Sequence, residues 1–89
     1  MPVISMFYGL IISMYYADTN QHNLPHIHVN YQEDEVIVEI PSGKVIEGKI
    51  SRNKMKLLEA WIEIHKEDLM ANWQLASKNQ KVFRIEPLR

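Results

Sequence analysis

The spacing of apolar residues along this 89-residue chain changes once, close to Ser51. Before that point, apolar residues alternate with polar ones or form short blocks rich in Val, Ile, Phe and Tyr, which is typical of β-strands. After it, they recur every three or four residues, as on one side of an amphipathic helix. The predicted strands are residues 3–8, 10–16, 26–31, 35–40 and 44–50. Pro41-Ser42-Gly43 marks a turn between the last two, and Gly9 is either a bend or bulge in one long strand or part of a tight turn.

The predicted helix begins after Ser51, a good N-cap residue, and runs to about Lys78, with Asn79 as its C-terminal residue. Because this pattern is longer than an average helix, two helices broken near His65-Lys66 fit the sequence as well as one. The tail, residues 82–88, predicts a short edge strand that Pro87 ends. The apolar stripe of the helix consists of Met55, Leu58, Trp61, Ile62, Ile64, His65, Leu69, Trp73 and Ala76.

Alternation in residues 26–40 sorts side chains between the two faces of a predicted hairpin. If the apolar faces of the two strands coincide, the polar faces coincide too, because a one-residue slip would reverse every side chain. The helix is expected to cover the apolar face and to leave the polar face open. The polar face then carries His26, His28, Glu35 and Glu39, and the apolar face carries Val29, Val36 and Val38.

These elements predict an α+β fold in a single domain, residues 1–89. It has an antiparallel sheet of about four to five strands, with one long or two consecutive C-terminal helices packed on one face. Trp61 and Trp73 are expected in the core, because large aromatic residues at helical spacing bury the most area.

Composition narrows the classes of function. Apolar residues make up 46% of the chain, which favours a packed core, and the absence of cysteine excludes a disulfide scaffold or a thiolate zinc site. A formal net charge of −1 argues against binding duplex DNA by bulk charge. The longest apolar run, residues 10–17, is short of the ~20 residues that span a bilayer, and no positively charged region precedes it. We expect a cytoplasmic protein without membrane contact, and three widely spaced glycines predict no nucleotide cofactor.

Three histidines within seven residues, His22, His26 and His28, form the densest group of side chains that bind protons or metals near neutral pH. One interpretation is acid–base catalysis on RNA, with His26, His28 and Glu39 as catalytic residues and no metal. Another is a metal site, which needs three or four ligands and would take His22 or Glu39 as the third. The third is a half-exposed structural pair or a partner interface, which the absence of a nucleophile and of a surrounding basic groove favours.

Basic residues suggest a second kind of contact. Arg52, Lys54 and Lys56 lie in the first turns of the predicted helix, where positive charge opposes the helix dipole. Together with Arg84 in the basic C-terminal quarter, they are candidates for contact with phosphate or a partner. A solvated basic surface is the better explanation for the three helix residues and an equally good one for Arg84. His65, on the apolar stripe, is more typical of a core or interface residue than of a catalyst.

Seven short motifs follow one another along the chain: Met1-Pro-Val-Ile-Ser5, Met14-Tyr-Tyr-Ala-Asp18, Pro25-His-Ile-His-Val29, Glu47-Gly-Lys-Ile50, Trp61-Ile-Glu-Ile-His65, Asn72-Trp73 and Arg84-Ile-Glu-Pro-Leu88. Together they resemble a family of small bacterial proteins known as domain of unknown function 4160. The resemblance implies a bacterial cytoplasmic protein encoded beside another small protein, in an arrangement like a toxin–antitoxin pair.

The leading functional hypothesis is therefore an interaction protein, one component of a toxin–antitoxin-like pair. A metal-independent ribonuclease that uses His26 and His28 is the alternative, and a metal site on the same histidines is a third, so whether the chain is an enzyme stays open. The expected partner is a protein encoded nearby. RNA and a second copy of the chain are further candidates.

Overall fold

A computed structural model describes residues 2–16 and 24–89 of the chain. In these residues, five strands form one antiparallel sheet in the order β1-β2-β3-β4-β5, and one helix follows. This confirms the predicted α+β class, with five strands in the described residues. The elements are β1 (Val3–Phe7), β2 (Leu10–Ser13), β3 (His26–Tyr31), β4 (Asp34–Glu39), β5 (Val45–Gly48) and α1 (Arg52–Ser77).

The first hairpin closes through the two residues Tyr8 and Gly9, whose φ angles are both positive, at 50° and 83°. Phe7 pairs with Leu10 on either side of them. Two residues with positive φ are the signature of a turn whose twist matches the strands it joins, and glycine takes the second position without steric cost. The tight-turn interpretation of Gly9 is confirmed.

The last strand ends at Gly48, which also has positive φ, at 80°. A Cβ atom at this position would collide with the backbone carbonyl oxygen of Glu35 in β4. The β4–β5 register also shifts between Ile37 and Val38, so the edge strand carries a bulge. These irregularities shorten β5 to four residues, compared with the seven predicted.

Both ends of α1 are capped as the sequence predicts. The Ser51 hydroxyl accepts a hydrogen bond from the Lys54 amide at 3.3 Å. At the other end, Asn79 has φ of 57°, its amide donates to Ala76, and the Gln80 amide donates to Leu75. This pair of bonds is a Schellman cap.

The helix is continuous but kinked, because His65 has non-helical angles of φ −113° and ψ 20°. The structure therefore has one helix, and this helix bends at the position where the sequence allowed a break between two helices. In the part of the chain that the structure describes, no helix is both long enough and apolar enough to cross a membrane.

The core lies between α1 and one face of the sheet. Strand residues Ile27, Val29, Val36 and Val38 pack there with helix residues that include Leu58, Trp61, Ile62, Leu69 and Trp73. Both tryptophans are buried, as predicted. Ile64 is 65% exposed, so its assignment to the apolar stripe is wrong. At about 100° per residue, Ile64 lies about 120° from the centre of the stripe.

The tail that follows α1 forms no strand in residues 78–89, which corrects the predicted edge strand. It joins the sheet through one backbone hydrogen bond, from the Ile85 amide to the Ile4 carbonyl at 2.8 Å. At other points, side chains of α1 form hydrogen bonds with the backbone of the tail. The Asn72 amide group donates to the Phe83 carbonyl at 2.8 Å and accepts from the Phe83 amide at 3.0 Å, while the Trp61 indole donates to the Glu86 carbonyl at 2.7 Å. Side chains of α1 thus make the hydrogen bonds to the tail backbone that a neighbouring strand would make in a sheet.

Candidate functional site

The register of the β3–β4 hairpin places the candidate residues on one face. His26 pairs with Glu39, and Asn30 pairs with Glu35. Opposed residues of an antiparallel pair share a face, so the two histidines and the two glutamates lie together. The face opposite them, with Val29, Val36 and Val38, packs in the core under α1. The predicted sorting of the hairpin is confirmed.

The two histidines are buried, at 0% exposure for His26 and 6% for His28, so the expectation of a half-exposed pair is wrong. Their rings meet edge to face with centroids 5.3 Å apart. The His26 ring also lies 5.2 Å from Trp73 of α1. His26 is the first residue of β3, and at this end of the sheet the helix is close to a residue of the other face.

A backbone contact fixes the tautomer of His26. Its Nδ1 atom is 2.7 Å from the carbonyl oxygen of Leu24. A carbonyl only accepts, so Nδ1 carries the proton and donates, and in the neutral ring Nε2 holds the lone pair. In this tautomer Nε2 is the ring atom that accepts a proton or binds a metal, but the His26 ring is packed inside the protein.

His28 lies between an aromatic ring and a carboxylate. The ring of Tyr15 stacks on it, with centroids 4.3 Å apart and planes at 18°. Its Nδ1 atom is 3.1 Å from the Tyr15 hydroxyl and 3.4 Å from the Glu35 carboxylate. A proton relay needs partners on the two different ring nitrogens. Because both groups meet Nδ1, these three residues do not form such a relay.

Tyr15 and Trp73 are the members of this cluster that the sequence reasoning missed. β2 pairs with β3 so that Ser13 is opposite His28. Tyr15 is two residues further along the chain, and residues two apart share a face in extended chain. Applying the alternation to β2 as well as to the hairpin would therefore have placed Tyr15 on the face that carries His26 and His28.

Glu39, the third residue of the catalytic hypothesis, has a local partner. Its carboxylate accepts a hydrogen bond from the Ser42 hydroxyl at 2.6 Å, in the turn that follows β4. The structure therefore brings Glu39 opposite His26 by register and also ties its side chain to the turn.

The basic candidates do not join the histidine face. Arg52 and Lys56 are exposed on α1, which packs on the opposite side of the sheet. The Lys54 amine donates to the Tyr8 carbonyl at 2.8 Å and lies 5.0 Å from the centre of the Tyr31 ring, so it connects the helix to the first hairpin. Arg84 is exposed on the tail beside β1.

His65 lies in the middle of α1, and its side chain is partly buried. Its ring lies 5.6 Å from Trp61, and its Nδ1 atom is 3.9 Å from the Asp68 carboxylate. These contacts agree with a structural residue at the kink.

No group of three or more His, Asp or Glu residues within residues 2–16 and 24–89 is arranged to hold a metal ion. His22, the third histidine of the metal hypothesis, lies outside the described residues. That hypothesis therefore stays a prediction.

Comparison with known proteins gives one match. A family model with the description Domain of unknown function (DUF4160) matches residues 9–74, which is well over half of the chain. The matched region includes the histidine cluster and most of α1. Neither a curated protein nor a solved structure matches the chain.

Proposed function

This chain belongs to the family described as Domain of unknown function (DUF4160), and we propose that it is a small bacterial cytoplasmic interaction protein. We further propose that it is one component of a toxin–antitoxin-like pair. The surface of the sheet supports the interaction role. The paired role is supported by the gene arrangement that the sequence resemblance implies.

The observation that carries the interaction role is an exposed apolar pair on the face of the sheet away from α1. Met6 and Ile11 are opposite each other across β1 and β2, and they stay 53% and 37% exposed. The same row continues across the sheet through Asn30 and Glu35. Apolar side chains beside polar ones, on a face that the helix does not cover, have the composition of a protein interface.

The histidine cluster supports the same proposal, because its contacts are internal. An acid–base catalyst must bring its nitrogen within hydrogen-bond reach of the reacting atoms. His26 is fully buried, and Tyr15 stacks on His28. The pair is therefore better suited to holding the sheet face in shape than to cleaving RNA.

The test is expression of the chain alone and together with the product of the adjacent gene, followed by co-purification. Growth arrest that the neighbour relieves would make this chain the toxin, and growth without arrest would make it the antitoxin or a plain binding module. Ile11→Lys should reduce co-purification at least about tenfold, because it places a charge in the apolar centre of the interface.

Ile64→Lys is the matched control, because it is the same change at an exposed isoleucine on the outer side of α1. Equal loss of binding in both variants would contradict a specific interface on the sheet face. RNA cleavage by the purified chain, lost in His26→Ala and in His28→Ala, would replace the interaction role with the ribonuclease alternative.

A further inference from the structure

A second surface lies at the outer edge of β1, the terminal strand of the sheet. The Pro2 carbonyl accepts a hydrogen bond from the Met14 amide, so at Pro2 the backbone bonds inward to the next strand. Backbone groups of successive residues point to opposite sides of a regular strand, and Val3 is the next residue, opposite Ser13, so its amide and carbonyl point outward. The register of β1 shifts between Val3 and Ser5, which interrupts the alternation and leaves the Ile4 carbonyl on the outer edge as well. Among the described residues, the bond from Ile85 to Ile4 is the backbone hydrogen bond that the tail makes to this edge. The edge beside Val3 therefore has room for another extended chain.

A groove runs along this edge. It has a volume of about 310 Å³ and lies between Pro2 and Val3 on one side and residues 80–84 on the other. Phe83 is 41% exposed, so the groove has an apolar side chain available for contact. Its outer wall is held in place, because the Asn72 side chain binds both backbone groups of Phe83. A preformed wall lowers the entropy cost of binding a ligand.

The charges along the groove have one sign. Lys81 and Arg84 line it, both are exposed, and no acidic residue lines it. Neither side chain forms an ion pair with a residue in the described parts of the chain. Arg89 differs, since it donates to the Glu86 carboxylate at 2.6 Å, a hydrogen bond that lowers the pKa of Glu86. The two groove cations are therefore available to a partner, although the net charge of the whole chain is −1.

We propose that this groove binds an acidic, extended peptide segment of the partner protein. The segment adds to the edge of β1 through the backbone of Val3, places apolar side chains against Phe83, and places carboxylates next to Lys81 and Arg84. Strand addition of this kind takes affinity from the backbone and specificity from alternate side chains. The inference rests on the proposed function, because it takes the segment to belong to the interaction partner.

The test measures binding of the full chain to a short, fluorescein-labelled peptide of alternating glutamate and valine, by fluorescence anisotropy. A peptide of alternating lysine and valine and a short oligouridine are the comparison probes. The double variant Lys81→Glu/Arg84→Glu should weaken binding of the acidic peptide roughly tenfold or more, because charge reversal turns two attractions into repulsions. The double variant Lys44→Glu/Lys49→Glu is the matched control, since it changes the net charge equally at exposed sites next to β5, at the opposite edge of the sheet.

Equal weakening by the two double variants would overturn the proposal, because it would reduce the effect to overall charge. Equal binding of the lysine peptide would overturn it too, and tighter binding of oligouridine would assign the groove to RNA instead. Val3→Pro removes the outward amide without changing charge, so unchanged binding by a folded Val3→Pro protein would contradict strand addition.

The failure of this inference differs from the failure of the proposed function. If the product of the adjacent gene still binds Lys81→Glu/Arg84→Glu fully but no longer binds Ile11→Lys, the groove proposal fails and the interaction role stands. If that product binds none of these proteins, wild type included, the interaction role itself fails.

Discussion

Asn72→Ala tests how much the tail contributes to stability. Asn72 is fully buried in α1, and its side chain makes two hydrogen bonds to the Phe83 backbone, at 2.8 and 3.0 Å. The substitution removes both bonds and leaves a partly buried N–H and C=O without partners. At roughly 1–2 kcal/mol for each bond and its unsatisfied partner, the free energy of unfolding should fall by about 2–4 kcal/mol.

This loss is large compared with the total free energy of unfolding. At roughly 0.05–0.15 kcal/mol per residue, a chain of this size has a total stability of about 5–13 kcal/mol. The melting temperature should therefore fall by roughly 8–32 °C, since 1 kcal/mol corresponds to about 4–8 °C in a small domain. Urea unfolding gives the free energy, and thermal unfolding gives the temperature.

Local measurements separate a lost clamp from general damage. Hydrogen exchange should accelerate at the Phe83 and Ile85 amides more than at amides of β3 and β4. Gln74→Ala, at an exposed position of the same helix, is the control and should change stability by less than about 0.5 kcal/mol. An Asn72→Ala protein as stable as this control would refute the reasoning, because the two hydrogen bonds would then carry no net free energy.

The other predictions concern the core, the edge strand and the histidines. Trp73→Ala should cost roughly 3–5 kcal/mol, the usual range for a core aromatic residue, and a variant that melts near the wild-type temperature would show that the second half of α1 is peripheral. Gly48→Ala should lower stability by roughly 1–3 kcal/mol, measured by urea unfolding, because a Cβ atom there meets a carbonyl of β4. Ser5→Ala should raise stability by about 1 kcal/mol, because the buried Ser5 hydroxyl has no hydrogen-bond partner among residues 2–16 and 24–89, and a lower melting temperature would contradict this. His26→Ala and His28→Ala should each lower the melting temperature, and zinc should not raise that of the wild type. A rise with zinc that chelator reverses would instead indicate a metal site, by linkage.

The local parts of the fold were predictable from the sequence. In residues 26–40, the alternation, which only Ile37 interrupts, and a short turn favour one register that buries the valines, and the structure has that register. Ser51 and Asn79 cap α1 as expected, because capping depends on the chemistry of one or two residues. The kink at His65 lies where two helices were an alternative to one.

The parts that depend on distant contacts were not predictable. The tail has the β-branched and aromatic residues of a strand, but Asn72 binds its backbone instead, and nothing in the local pattern indicates this. The burial of His28 depends on Tyr15, which is thirteen residues away along the chain. Half-exposure was the wrong expectation because the hairpin was considered without the strand next to it.

The irregular end of β5 has a consequence for how this small sheet avoids polymerising. All four residues of β5 are exposed, and Val45 and Ile46 are apolar, which are the properties of an edge that recruits further strands into fibrils. The bulge and the left-handed Gly48 interrupt the regular row of outward N–H and C=O groups, and Lys44 flanks the strand. The bulge, the Gly48 conformation and the flanking lysine all disfavour edge-to-edge pairing between the sheets of two copies. At the opposite edge the tail binds the Ile4 carbonyl and so hinders extended pairing along β1, while the short stretch beside Val3 stays open to a peptide.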